Sequence, residues 1–204
     1  MKTGDLIALI ANIPMLFVYI TYFKQVIKQQ SVPNPATWLV WSAAMLLNAL
    51  TYFFLSEKNW YKSSITIIVF ILMALIMLYS WKKGKFSKLG LLEGNALFAT
   101  CLVGALWWLN KETAIANFLL QIILLMSFVP TIVGLLTGAN KEKWPPWLLA
   151  VITYMLFTTG IIVDFKGDYS LLAYPVINGM IGNGSVLTII LFQKFKNDKS
   201  RLKE

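Results

Sequence analysis

The side chains with chemical potential in this sequence are amides and aromatic rings set inside apolar runs. Asn48, Asn178 and Asn183, together with Asn12, Asn95, Asn117 and Gln121, interrupt hydrophobic stretches, and Trp41, Tyr52, Trp147 and Tyr154 occupy the same kind of surroundings. An aromatic face covers an apolar or planar surface, while an amide both donates and accepts hydrogen bonds. Paired, they recognise a small polar molecule. Covalent chemistry has little to work with: the chain has no histidine and one cysteine, Cys101. That excludes a His-based metal site and an internal disulfide. A membrane-embedded hydrolase or transferase needs a nucleophile with its base, or a metal held by His and carboxylates. No catalytic residue, no metal and no cofactor is therefore expected.

The elements that position these residues follow from composition. Of 204 residues 58% are hydrophobic and only 13% charged, against about 25% charged in a soluble domain, and the mean hydropathy is +0.68. A helix needs about 20 apolar residues to cross the hydrocarbon core. The sequence divides into seven such spans, at 6–23, 36–55, 63–81, 89–109, 114–136, 147–163 and 169–192. The runs are unbroken, unlike the alternating pattern of a transmembrane barrel, so the fold class is an all-α integral membrane protein. Asp5 occupies what would be the positive region of a secretory signal and no small-residue cleavage site follows, so the first run counts as a span.

Positive loops stay in the cytoplasm. Lys24, Lys28, Lys82, Lys83, Lys85, Lys88, Lys141, Lys143 and the tail residues Lys194, Lys196, Lys199, Arg201 and Lys203 lie on one side, thirteen in all; Lys2, Lys58, Lys62, Lys111 and Lys166 lie on the other. This distribution predicts an N-terminus outside and a C-terminus in the cytoplasm. It also accounts for the net charge of +9 without nucleic acid, because the lysines are spread over four loops.

Two halves share features. Trp38-Leu39-Val40-Trp41 falls on Trp144-Pro145-Pro146-Trp147 at a shift of 106, and the same helical face continues as Met45, Asn48 and Tyr52 in one half and Val151, Tyr154 and Thr158 in the other. Tyr19-Ile20-Thr21 falls on Pro130-Thr131-Ile132 at a shift of 111, while the third and seventh spans do not align. Three spans invert the orientation, so the fourth restores it as a linker and leaves the halves parallel. The expected organisation is a first three-helix bundle at 1–88, a linker helix at 89–110, a second bundle at 111–193 and a basic cytoplasmic tail at 194–204. In transporters built from such repeats the solute sits at the repeat interface near the midplane.

This plan, with Tyr19-Ile20-Thr21-Tyr22, Trp38-Leu39-Val40-Trp41, Pro130-Thr131-Ile132 and Tyr174-Pro175 with Asn178, resembles the SWEET and PQ-loop superfamily, and most of all its uncharacterised bacterial seven-span members. The resemblance implies a three-plus-one-plus-three fold, a bacterial inner membrane and a homo-oligomer, dimer or trimer. It implies a transporter, or a receptor of the same fold that does not transport. The Pro-Gln pair that names the PQ-loop group is absent, and the third span has no asparagine to face Asn178 as in sugar-carrying members.

The expected solute-binding residues are Trp41, Asn48, Tyr52, Trp147, Tyr154, Asn178 and Asn183. Five residues place Asn178 and Asn183 roughly 140° apart on a regular helix, which assigns Asn178 to the cavity and Asn183 to packing. Trp38, Trp144, Trp107 and Trp108 sit at span ends as interfacial anchors. Pro14, Pro130 and Pro175 should kink their spans and serve as hinges or fixed bends. No lysine or arginine lies at mid-membrane, so an anion lacks its usual clamp. The expected passenger is neutral or weakly cationic: a sugar, a nucleoside or a vitamin of the nicotinamide riboside type. Without a central acid, facilitated diffusion by alternating access is expected rather than proton coupling.

Overall fold

The computed structural model describes residues 1–31, 35–83, 90–139 and 141–201, with side chains to residue 196. Among these the secondary structure is helical, and seven helices are long and apolar enough to cross a membrane: α1 Thr3–Ile27, α2 Pro35–Leu55, α3 Trp60–Lys82, α4 Leu91–Asn110, α5 Thr113–Thr137, α6 Trp144–Val163 and α7 Ser170–Lys196. The expected boundary between first bundle and linker, at residues 88 and 89, lies outside the described residues, as do Lys85, Lys88 and residues 202–204. The segment from 194 expected as a tail continues the last helix to Arg201.

The prolines act where covalent geometry says they must. A proline ring clashes with the carbonyl four residues before it and offers that carbonyl no donor. The first helical stretch of α1 stops at Ile10, four residues before Pro14, and resumes at Asn12; that of α5 stops at Met126, four before Pro130, and resumes at Val129. In α7 the answer is different. Around Pro175 the chain adopts a π-helix over Tyr174–Gly182, in which hydrogen bonds run between residues five apart.

Two ends of the bundle are defined by contacts between loops. At one, Asn59 caps α3 by accepting from the backbone N–H of Tyr61 and Lys62, and donates its amide to Asp5 of α1 at 2.8 Å. There too the Gly4 N–H donates to Asp164 at 2.8 Å, and Lys166 pairs with Glu57 at 2.8 Å. Close approach of α1 and α6 at this end requires glycine: a Cβ on Gly160 would lie 2.8 Å from the Gly4 carbonyl oxygen. At the other end Tyr22 of α1 reaches Glu142 in the loop before α6, and Gln193 of α7 donates to the Leu135 carbonyl of α5.

Packing follows a regular scheme. Helix α1 lies against α3 and α6, α5 against α7 and α2, α2 against α3, and α6 against α7. Helix α4 touches α2 and α5 and is otherwise peripheral, with only 11% of its most apolar window buried. The core lies between α1, α2, α3, α5, α6 and α7, and it is aromatic as much as aliphatic: Trp38, Trp41, Tyr52, Trp147, Tyr154, Phe157 and Tyr174 are all buried. Large apolar side chains such as Phe17, Leu75, Phe98 and Ile152 point outward, the arrangement suited to a hydrocarbon surrounding.

Candidate functional site: an aromatic cavity closed by an amide network

Between α1, α2, α3, α5, α6 and α7 lies a cavity of about 70 Å³, several times the 10–15 Å³ that one water needs. Five rings form a closed circuit around it. Tyr22 meets Trp38 at 5.2 Å between centroids, Trp38 meets Trp41 at 5.1 Å, Trp41 meets Phe128 at 5.0 Å, Phe128 meets Trp147 at 6.4 Å, and Trp147 returns to Tyr22 at 6.3 Å. All five line the cavity, and each spacing lies within the 4.5–7 Å range of favourable ring pairs. Towards the Asp5 end the space is closed by a second aromatic group. The hydroxyls of Tyr154 and Tyr174 share a 2.6 Å hydrogen bond, Tyr174 packs on Tyr52 at 5.9 Å, and Tyr52 packs on Phe157 at 6.2 Å while donating to the Leu171 carbonyl at 3.0 Å.

The backbone of α7 comes close enough to shape this space because two positions carry no side chain. A Cβ on Gly179 would lie 2.3 Å from Tyr154 Cγ, and one on Gly182 would lie 2.6 Å from Phe128 Cε2. Gly184 has open space around it.

Behind the rings, buried amides run from α2 to α7. Asn117 donates to Asn48 Oδ1 at 3.1 Å and to Thr51 at 3.0 Å; Gln121 donates to Asn48 Oδ1 at 2.8 Å; Asn178 donates to Gln121 Oε1 at 2.6 Å. Asn183 donates to the Asn178 carbonyl at 2.9 Å. Interhelical hydrogen bonds of this kind contribute about 0.6 kcal/mol each on average, so the chain fixes positions more than it adds stability.

Of the residues expected at the site, Trp41, Trp147, Tyr154, Asn178 and Asn183 line the cavity and Asn48 and Tyr52 do not. Asn48 is fully buried at the far end of the amide chain, where it accepts from Asn117 and Gln121. Tyr52 stands one ring behind Tyr174. The expected separation of Asn178 from Asn183 is corrected by the π-helix over Tyr174–Gly182: its wider turns, closed between residues five apart, bring the two positions towards one face, and both residues line the cavity. Trp38, expected as an interfacial anchor, is only 5% exposed and belongs to the ring circuit, whereas Trp108 is 70% exposed.

Sequence reasoning missed Tyr22, Phe128 and Tyr174 as lining residues, and it missed Glu142. Tyr22 donates to Glu142 Oε1 at 3.0 Å. Burial pushes this carboxyl up to about 7, while Tyr22, Ser31 and Trp147 pull it back. The Trp147 indole is near enough to favour the charged acid without reaching hydrogen-bonding geometry: Trp147 Nε1 and Glu142 Oε2 both lack a hydrogen-bond partner.

Three buried polar atoms of cavity-lining side chains are also unpaired: Trp41 Nε1, Trp147 Nε1 and Asn178 Oδ1. Leaving such an atom unmatched costs about 1–3 kcal/mol. Two donors and one acceptor among the lining side chains thus have no partner within the protein. Comparison with family models, with curated proteins and with solved structures finds no match to this chain.

Proposed function

We propose that the protein is a membrane transporter for a small polar solute that carries no negative charge, held between two three-helix bundles that alternate access to it. The observation that carries this reading is the aromatic cavity with its unpaired Trp41 Nε1, Trp147 Nε1 and Asn178 Oδ1 inside a bundle of membrane-length helices. A sealed structural core has no use for unmet hydrogen-bonding groups; a solute site does. Among the described residues no lysine or arginine lines the cavity, which weighs against anions.

The packing scheme supports the two-bundle plan. Exchanging α1 with α5, α2 with α6 and α3 with α7 turns each of the main contacts into another: α1 on α6 becomes α5 on α2, α2 on α3 becomes α6 on α7, and α1 on α3 becomes α5 on α7. Helix α4, peripheral and outside this exchange, fits a linker. The cavity lies where the two sets meet, as in parallel-repeat transporters. By the distribution of positive charge we place the N-terminus and the Lys166–Glu57 pair outside and the Glu142 end in the cytoplasm, in a bacterial inner membrane.

Reconstitution tests the reading. Purified protein in liposomes should exchange at least one member of a broad panel of small polar metabolites, and that metabolite should raise the melting temperature of the wild type and not of Asn178→Ala. No flux and no Asn178-dependent shift across the panel would overturn it; a shift without flux would assign the chain to the non-transporting receptors instead.

A further inference from the structure

Glu142 is an acid with its carboxyl buried against two rings of the aromatic enclosure, and the two features have a joint meaning. Ring faces carry negative potential and attract a cation within about 6 Å of the centroid, most strongly when the cation is desolvated. The circuit of Tyr22, Trp38, Trp41, Phe128 and Trp147 presents five such rings around one space. Two of them touch the acid: Tyr22 donates to its Oε1 and Trp147 stands beside it, while Oε2 is buried and unpaired. Among the described residues no basic side chain shares the cavity with the rings. Lys141 and Lys143, which flank the acid in the chain, are exposed. The negative potential of the carboxylate therefore has no internal counter-charge.

Building on the transporter reading, we propose that the solute is a small organic cation, its alkylated ammonium head seated among these five rings with the Glu142 carboxylate as counter-charge. An alkylated head suits the site better than a bare ammonium. A bare ammonium needs three acceptors to replace its water, whereas the cavity's one free acceptor is Asn178 Oδ1 among the unpaired atoms of its lining. Methyl groups instead meet ring faces directly. Seating a cation favours the ionised acid, so binding near neutrality releases a proton from Glu142 to solvent. Glu142 is faced by Tyr22 from α1, Ser31 from the segment after α1 and Trp147 from α6; none of these side chains is a base or a second carboxylic acid.

Choline and its uncharged carbon isostere, 3,3-dimethylbutan-1-ol, are the probes, read by tryptophan fluorescence of the full-length protein in lipid nanodiscs. Choline should quench saturably and bind at least tenfold tighter than the isostere, and Glu142→Gln should remove that preference by weakening choline alone. Should Glu142→Gln not fold, the wild type still decides: choline affinity should rise at least tenfold from pH 5.5 to pH 8, and the isostere's should stay flat. Equal affinity for the two probes, a flat choline profile or no choline binding overturns the assignment. If a neutral metabolite is meanwhile exchanged across liposomes and gives an Asn178-dependent shift, the transporter reading stands and only the cation falls; if none is exchanged, both fall.

Discussion

Tyr22 and Glu142 are joined by a 3.0 Å hydrogen bond that spans 120 positions of sequence and ties α1 to the loop entering α6. The phenol is part of the cavity wall and the acid is not. Any change in the charge of Glu142 is thereby felt by a ring of the cavity wall, and any movement of α1 against the loop entering α6 must strain this bond.

The pH dependence of stability follows from the same acid. Folded, Glu142 holds its proton to about pH 7; released from burial it ionises near its ordinary 4.5. The folded state binds more protons between those values, so the stability of the empty protein should fall as pH rises from 4.5 to 7 and level off above. The upper bound is about 3 kcal/mol, at 1.36 kcal/mol per pKa unit. Thermal melts of the wild type and Glu142→Gln should diverge across this window, the variant losing that component of the slope.

Trp41→Phe separates a recognition role from a structural one. A smaller aromatic ring replaces the indole, and the unpaired Nε1 of the empty protein disappears. Because an unmatched buried donor costs about 1–3 kcal/mol, the variant's melting temperature without solute should equal or exceed that of the wild type. Its affinity for a bound solute, measured calorimetrically, should fall roughly tenfold, the effect of losing about 1.4 kcal/mol.

Asn178→Ala removes both the 2.6 Å bond to Gln121 and the unpaired acceptor. The first loss should destabilise the bundle by about 1 kcal/mol, the scale of interhelical hydrogen bonds in membranes. The second should abolish solute-induced stabilisation. Chemical unfolding in bilayer mimics, with and without solute, reads the two effects separately.

Gly179→Ala places a methyl group 2.3 Å from Tyr154 Cγ. Overpacking of this kind costs about 1–3 kcal/mol, and the displaced ring should lose its hydroxyl contact with Tyr174. Gly184→Ala, with nothing within 4 Å of the new carbon, should leave the unfolding free energy within about 0.5 kcal/mol of the wild type.

Much of this fold is written in local signals. Span lengths emerge from uninterrupted apolarity, and the stops at Ile10 and Met126 sit where Pro14 and Pro130 must put them. The candidate site was half legible. Trp41, Trp147, Tyr154 and Asn178 are polar or amphipathic groups at depths where they need a reason to be. Asn48 looks the same by that criterion, but its reason is Asn117 and Gln121. Depth in a span reports that a polar group has a partner; it does not report whether the partner is a neighbouring helix or a guest. Trp38 looked like an anchor because span ends favour tryptophan at the interface, and only the position of Tyr22 turns it inward. Glu142 lies in a loop among lysines, where an acid is ordinarily solvated, and no periodicity signals that the loop folds back over Trp147.

The π-helix of α7 carries one further implication. A turn closed by hydrogen bonds between residues five apart holds more chain than a turn of regular helix, so the positions after Gly182 are rotated about the axis from where uniform counting puts them. Helix α3 has no such stretch: it runs as regular α-helix from Trp60 to Lys82. Laid side by side letter for letter, the two fall out of phase midway. Even ancestrally duplicated helices would then compare as strangers, and superposition in space rather than in text is the measure by which their kinship should be judged.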